Sequence, residues 1–320
     1  MTNKSNYSVL IYYHIPEYVD RYKELIKSAR KDLNLLVCKD KAQIEELIGQ
    51  AEIIFSGSSF PVETIPKAKN LKWIQSMAAG VENFTRSQLI PSGVILTKPK
   101  GIFGPLMAEY VLGYILAITQ NIKLVFDNQK KNSWQPFVVD SIRHKTVGIM
   151  GLGSVGAYVA YRLHLLGVEI IGLEEQEKNL PYVTREYTTK EIDAFLGESD
   201  FLVMALPLTD RTEGLLGEKQ FDSMKKSAHL INISRGALIQ DEALIDALRK
   251  DSIAGAVLDV FHEEPLPKNH PFWEMENVII TPHISAPSLP EDLVDIFLEN
   301  LRRYEEGKDF IGIVDIRKGY

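Results

Sequence analysis

Residues 254 to 286, AGAVLDVFHEEPLPKNHPFWEMENVIITPHISA, deliver Asp259, Glu264 and His283 from strand ends and loops of one predicted sheet. A buried sheet has no use for two acids and an imidazole there unless chemistry happens at its edge. Upstream, INISRG supplies Arg235 and TVGIMGLGSVG supplies a nucleotide-binding turn. A planar, permanently charged guanidinium can hold a substrate carboxylate through two hydrogen bonds and polarise the adjoining ketone. Histidine titrates near neutrality and can give a proton to a developing alkoxide, while a neighbouring glutamate orients the ring and favours imidazolium. Arg235, Glu264 and His283 together therefore predict reduction of a 2-oxo acid, with hydride supplied by a nicotinamide. Taken singly they carry little, because an RG turn, an exposed EEP loop and a TPH strand end all occur in proteins without catalysis. His14, His144, His164, His229, His262 and His270 have no comparable company in the sequence; His164 reads as a helix-face residue and His270 as a loop residue.

The glycine motif has the context that a bare GxGxxG lacks. Gly151, Gly153 and Gly156 follow a predicted strand and open the helix AYVAYRLHLLG. The first glycine allows a tight turn, the second lets a pyrophosphate approach the backbone, and the third lets helix and strand pack closely. Free amides at the helix start then bind the anion. At the end of the next strand, VEIIGLEEQ places Glu174 where a carboxylate can hydrogen-bond ribose hydroxyls, with Glu175 directly after it. A 2′-phosphate would meet two carboxylates with no arginine adjacent in sequence, which favours NAD over NADP.

These residues need a scaffold, and hydrophobic patterning supplies it. Short β-branched runs alternate with amphipathic segments, predicting parallel strands joined by crossover helices. The first series of strands is SVLIYYH, LNLLVC, EIIFSG, LKWIQSM and GVILTK, with helices such as EYVDRYKELIKSAR and KAQIEELIGQ between them. The second is KTVGIM, VEIIGLE, FLVMALP, AHLINIS, AGAVLDV and NVIITPH, interleaved with segments such as DEALIDALRKD. Between them GPLMAEYVLGYILAITQNIKLVF reads as one long apolar helix, a hinge, a dimer surface near Tyr110 to Thr119, or a core helix of its own domain. The helix EDLVDIFLENLRRYEEG is expected to cross back to the first domain, which would then be discontinuous.

With 320 residues, 45% hydrophobic and 25% charged, the chain has the size and composition of a soluble two-domain globular protein. A net charge of −7 without a basic block argues against nucleic acid as a partner. The single cysteine, Cys38, excludes an intrachain disulfide and a CxxC redox or zinc motif, and it reads as a small core hydrophobe; no metal site is expected. No apolar run reaches the roughly 18 residues of a membrane span, and MTNKSNYSVL lacks a signal-peptide core, so a cytoplasmic protein is expected.

Ordered in this way, the motifs resemble the D-isomer-specific 2-hydroxyacid dehydrogenases, nearest the glyoxylate/hydroxypyruvate reductase-like branch. The likeness spans nearly the whole chain, most strongly from KPKGIFGPLMAEYVLGYILA to TPHISA. It implies that Arg235 in INISRGALIQDEAL binds substrate, Glu264 in DVFHEEPLP partners the histidine, and His283 in TPHISA is the acid/base. It implies further that Asp259 in VLDV holds the nicotinamide carboxamide and that amides of Ala79 and Gly80 in SMAAGVEN surround the substrate carboxylate. Leu206, Pro207 and Thr212 of LPLTDRTEGLL would cover the adenosine, Ser154 and Val155 would bind pyrophosphate, and Ile233, Ser234 and Ala286 complete the cofactor-binding set. The implied fold is α/β with two Rossmann-like domains and the active site in the cleft. A flavodoxin-like substrate domain would comprise residues 1–99 and 287–320, a doubly wound NAD-binding domain residues 100–286, and the cofactor domains would pair in a homodimer.

Three departures stand out: Ala78 where the family often has glycine, Ala157 where a basic residue often follows the third glycine, and Glu175 where NADP-using reductases commonly have arginine. The last strengthens the expectation of NAD. The substrate's side chain is set by positions around Ser56 to Phe60, Met77 to Gly80 and Met107, with Met107 and Trp134 either lining the pocket or simply packing. The alternative to a reductase is a dinucleotide-sensing, corepressor-like protein, disfavoured because the two domains consume almost all of the chain. Phosphoglycerate dehydrogenase is disfavoured because no regulatory domain follows Tyr320, and formate dehydrogenase because Glu264 is an acid.

Overall fold

Two parallel sheets organise the computed structural model of the chain, which describes residues 6–318. The chain divides into two compact units, one holding the residues up to Ile102 and those from Ser288 onward, the other Phe103–Pro287.

The first unit runs β1 (Ser8–Tyr12), α1 (Pro16–Ala29), β2 (Asn34–Cys38), α2 (Lys41–Leu47), β3 (Ile53–Ser56), β4 (Trp73–Ser76), α3 (Glu82–Thr85) and β5 (Ile95–Thr97). Its strand order is β2-β1-β3-β4-β5, all parallel, the flavodoxin-like arrangement. All five predicted strands are present. They read as unbroken apolar runs because helices cover both faces of such a sheet, and Val9, Leu10, Ile11, Ile53, Ile54 and Phe55 are wholly buried. Pro16 begins α1, where its missing N–H would have no partner anyway, and the helix turns Val19, Tyr22 and Ile26 inward. Asp40 caps α2 by accepting from the Gln43 amide at 2.9 Å. Cys38 is buried in β2, and burial pushes its thiol up to about 12, the behaviour of a small core hydrophobe.

The second unit runs α4 (Phe103–Thr119), α5 (Ile122–Lys130), β6 (Thr146–Met150), α6 (Ser154–His164), β7 (Glu169–Leu173), β8 (Arg185–Tyr187), α7 (Ile192–Glu198), β9 (Phe201–Met204), α8 (Glu218–Asp222), β10 (His229–Asn232), α9 (Asp241–Arg249), β11 (Gly255–Leu258) and β12 (Val278–Ile280). The strand order is β12-β11-β10-β9-β6-β7-β8, the doubly wound dinucleotide-binding order with one further strand at its far edge. The six predicted strands are joined by β8, whose three residues REY carry no apolar run to betray an edge strand.

The long apolar segment is two helices rather than one. Asn121 adopts a left-handed conformation with φ 53° between α4 and α5, which asparagine tolerates better than most residues. Along α4, Ala108, Val111, Ile115 and Thr119 are buried, and the helix packs on α6, so one face of this stretch belongs to the core of its own unit. Met107 packs against the same core, whereas Trp134 is 95% exposed.

Helix α10 (Pro290–Glu305) belongs to the first unit. Phe297 stacks on Trp73 and Phe55 with ring centroids 5.4 and 4.8 Å away. Asn300 Nδ2 donates to Gln75 Oε1 at 2.9 Å, and that oxygen also accepts from Thr97, which accepts from the Trp73 indole. This satisfied polar chain lets a buried asparagine and glutamine fix the helix on the sheet. Among the described residues no helix is long and apolar enough to cross a membrane.

Candidate active site

The second unit gathers Arg235, Glu264 and His283 from loops at the carboxyl ends of β10, β11 and β12. After β10 the chain runs through Ile233 and Ser234 to Arg235 and turns at Gly236. A Cβ on Gly236 would sit 2.0 Å from the Phe261 carbonyl carbon, so only glycine lets the loop carrying Glu264 lie this close to Arg235. In that loop Glu264 Oε1 accepts from the Phe261 amide at 3.0 Å, and Oε2 meets His283 Nδ1 at 2.7 Å. The loop's backbone thus aims the carboxylate, and the carboxylate aims the ring.

His283 itself has φ 54°, a left-handed conformation that costs a residue with a Cβ about 1–3 kcal/mol and persists only where its surroundings enforce it. Asp259 enforces it. Wholly buried beyond β11, its Oδ1 accepts from Thr281 Oγ1 at 2.6 Å and the Ile284 amide at 2.8 Å, and its Oδ2 accepts from the Ser285 amide at 2.9 Å. Its carbonyl accepts the His283 amide at 2.9 Å. Four bonds to one aspartate therefore shape the turn that presents the imidazole. Because Thr281 donates to the carboxylate, the Tyr110 hydroxyl, 2.7 Å from Thr281 Oγ1, acts as donor to it, extending the chain back to α4.

The hydrogen bond that His283 donates to Glu264 raises the His283 pKa from the ordinary imidazole value; burial and the Arg235 charge oppose this, and Asp259 assists. Burial alone would push the Glu264 carboxyl up, but its bonds from His283 and the Phe261 amide hold it below the usual carboxylate range. With Nδ1 on Glu264 and 53% of its side chain exposed, His283 keeps Nε2 as the nitrogen that can meet a substrate. Arg235 directs Nη1 to the Ser234 carbonyl at 2.6 Å.

At the carboxyl end of β6 lies the glycine turn. Gly151 has φ 91°, and a Cβ on Gly156 would fall 1.9 Å from the Gly151 carbonyl oxygen, so the turn and the start of α6 close only with glycines. A Cβ on Gly153 would meet nothing within 4 Å, and as N-cap of α6 Gly153 makes no side-chain cap bond. Open space above an uncapped helix start carrying Ser154 and Val155 fits the pyrophosphate of a dinucleotide. Ser234 Oγ bonds the Leu206 carbonyl, joining the loops after β10 and β9. Thr212 Oγ1 donates to the Pro207 carbonyl at 2.7 Å and accepts from the Thr209 amide at 2.8 Å, giving the LPLTDRT loop its shape. Glu174 Oε2 accepts from the Leu152 amide at 2.8 Å and so braces the glycine turn from the end of β7.

Two sequence expectations need correction. No arginine neighbours Glu175 in sequence, but the fold brings Arg211 to it, with Nη1 2.6 Å from Oε1. His262 and His270 do have an acidic companion, since each places Nε2 3.6 Å from Asp241; His262 also bonds the Ile239 carbonyl at 2.8 Å. Among the described residues no group of three or more His, Cys, Asp or Glu is placed to hold a metal. Ala79 and Gly80 follow β4 in the first unit, half-buried, in a turn where Ser76 Oγ accepts the Ala78 amide at 3.0 Å. Ala286 is half-buried one residue past Ser285. Tyr110, Thr281 and Arg211 were not singled out in the sequence. Thr281 stands beside the histidine motif, but nothing local marks the other two.

Residues 112–285 match the family described as D-isomer specific 2-hydroxyacid dehydrogenase, NAD binding domain. The chain is 33% identical over 266 residues to glyoxylate/hydroxypyruvate reductase A of Yersinia enterocolitica, covering 81% of this chain and 85% of that protein. Among solved structures, a D-isomer specific 2-hydroxyacid dehydrogenase family protein from Aeromonas salmonicida superposes with TM-score 0.90 at 32% identity, over 98% of this chain and 100% of the other. An NADPH-dependent glyoxylate/hydroxypyruvate reductase from Sinorhizobium meliloti, solved with NADP and sulfate, also gives 0.90, at 28% identity and the same coverage. A glycine turn on a doubly wound sheet, an arginine and a carboxylate-held histidine thus stand in a chain that belongs to the D-isomer specific 2-hydroxyacid dehydrogenase family, NAD(P)-dependent oxidoreductases that interconvert 2-oxo acids and D-2-hydroxy acids.

Proposed function

We propose that the protein reduces glyoxylate, hydroxypyruvate or a similarly small 2-oxo acid, using NADH in preference to NADPH. The observation that carries this reading is the 2.7 Å bond from His283 Nδ1 to Glu264 beside the Arg235 charge. Arg235 grips the substrate carboxylate and polarises its ketone; His283 gives the Nε2 proton to the oxygen as it becomes an alkoxide. Glu264 holds that proton on the ring to higher pH than a free imidazole would and fixes the ring's orientation. Asp259 acts by holding the His283 turn. The bound nicotinamide supplies the hydride. Ala79 and Gly80 offer amides to the substrate carboxylate; the substrate domain comprises residues 1–99 and 287–320 and the cofactor domain residues 100–286.

The names of the relatives support the substrate class. Glu174 and Glu175 support NADH, because both carboxylates oppose a 2′-phosphate, although the Sinorhizobium relative is NADPH-dependent. The cofactor set comprises Gly151, Gly153, Ser154, Val155, Gly156, Glu174, Leu206, Pro207, Thr212, Ile233, Ser234, Asp259 and Ala286. We place the protein in the cytoplasm, in keeping with a lone buried cysteine, and read it as a homodimer. Exposed apolar side chains on α5 and the irregular segment after it, Phe126, Trp134 and Val138 among them, support pairing through the cofactor domain. Static light scattering at micromolar concentration should give twice the 36.2 kDa chain mass; a monomer overturns the dimer.

The deciding experiment follows loss of reduced-nicotinamide absorbance with NADH and NADPH separately across glyoxylate, hydroxypyruvate, pyruvate and bulkier 2-oxo acids. Fast NADH turnover with the small acids is expected. Tight NADH binding with no turnover on any acid would instead favour a cofactor-sensing protein.

A further inference from the structure

We infer that Arg211 and Glu175 together form the element that discriminates against NADPH, Glu175 holding a guanidinium that a 2′-phosphate would recruit; this rests on the NADH reading above. Strands β7 and β9 flank β6, so the loops after them rise on either side of the glycine turn. Glu175 stands on the first loop and Arg211 on the second, and their side chains meet in a two-point contact, Nη1–Oε1 at 2.6 Å and Nη2–Oε2 at 3.3 Å. The pair therefore reaches across the approach to the turn, next to the ribose-binding position of Glu174.

The two acids there are not equivalent. Glu174 is committed to the Leu152 amide of the glycine turn at 2.8 Å, so its position is set by the fold. Glu175 and Arg211 are 52% and 72% exposed, and an ion pair so open to water is weakly held and readily exchanged. A phosphate monoester presents three acceptor oxygens and close to two charges to the same planar fork, a stronger partner than a carboxylate. It gains Arg211 only by displacing Glu175, and the displaced carboxylate then stays close enough to repel it. Selectivity is thus set by a carboxylate that shields a cation, not by the absence of a cation. Removing the Glu175 charge while leaving Arg211 should convert the site toward NADP(H).

The test measures binding directly, by fluorescence titration of NADH and NADPH onto the whole protein, with 5′-AMP and 2′,5′-ADP as competing probes. Glu175→Gln should tighten NADPH and 2′,5′-ADP by about tenfold or more, the size of one charge-assisted hydrogen bond gained, with NADH and 5′-AMP moving far less. Adding Arg211→Ala should abolish the gain. An unchanged NADPH to NADH ratio in Glu175→Gln, or a gain that survives loss of Arg211, overturns the inference while leaving the NADH reading intact. Failure of that reading looks different: the unsubstituted protein would bind NADPH as tightly as NADH, and no discrimination would remain for the pair to explain.

Discussion

Asp259 and Glu175 are both carboxylates at carboxyl ends of the same sheet, yet they are held in opposite ways. Asp259 is wholly buried, and its two carboxylate oxygens accept three hydrogen bonds from the loop that carries His283. Glu175 is 52% exposed and pairs with an arginine on a different loop. At the proposed acid/base end a buried aspartate holds a histidine in a left-handed turn, as proton transfer, which tolerates little misplacement, would require. At the end proposed to hold the adenosine, contacts would be with groups far from the reacting atoms, and there an exchangeable surface pair would suffice. Changes at the buried end should therefore alter turnover, and changes at the exposed end should alter cofactor choice.

The largest expected effect tests that division at its centre. His283→Ala should slow reduction by roughly a hundred- to ten-thousandfold while leaving NADH binding intact, as read by steady-state kinetics beside a fluorescence titration. Unchanged turnover would remove His283 from the acid/base role. Arg235→Ala belongs to the same end but should reduce kcat and raise KM together if the guanidinium serves, as proposed, both binding and polarisation.

Glu264→Gln should act more gently and through pH. Since Glu264 raises the His283 pKa, wild-type reduction should decline as pH rises through that elevated value. Removing the carboxylate lowers the value, so the decline should move to lower pH, with much of the acidic-limb rate retained. A pH profile of kcat/KM that keeps its midpoint would mean that Glu264 does not control the proton.

These contrasts also explain what the sequence made legible. Strands β1 to β7 and β9 to β12 were readable because buried parallel strands are continuous apolar runs, and the glycine turn because its close approaches admit no side chain. Glu264, His283 and Arg235 could be proposed because each stands at a strand end among chemically suggestive neighbours. The break at Asn121 was hidden because apolar residues continue on both sides of it. Arg211 was hidden because its partner lies 36 positions away, and Tyr110 because its partner Thr281 lies 171 away. Local patterning reports what a residue prefers, while a side-chain pair across loops depends on strand order.

Tyr110→Phe gives the smallest effect and the sharpest test of the buried network. The substitution keeps the ring on Tyr114, 4.5 Å between centroids, and removes only the hydroxyl that donates to Thr281. Thr281 would still donate to Asp259, so the fold should survive with a stability loss of about 1 kcal/mol, one hydrogen bond, measurable by urea denaturation. If the chain from Tyr110 through Thr281 to Asp259 holds the His283 turn, kcat should fall severalfold at unchanged KM, and restoring tyrosine alone should recover it. A stability loss of the same size with kcat untouched would assign Tyr110 to packing, and the precision of the histidine turn would then rest on Asp259 and the amides of Ile284 and Ser285 alone.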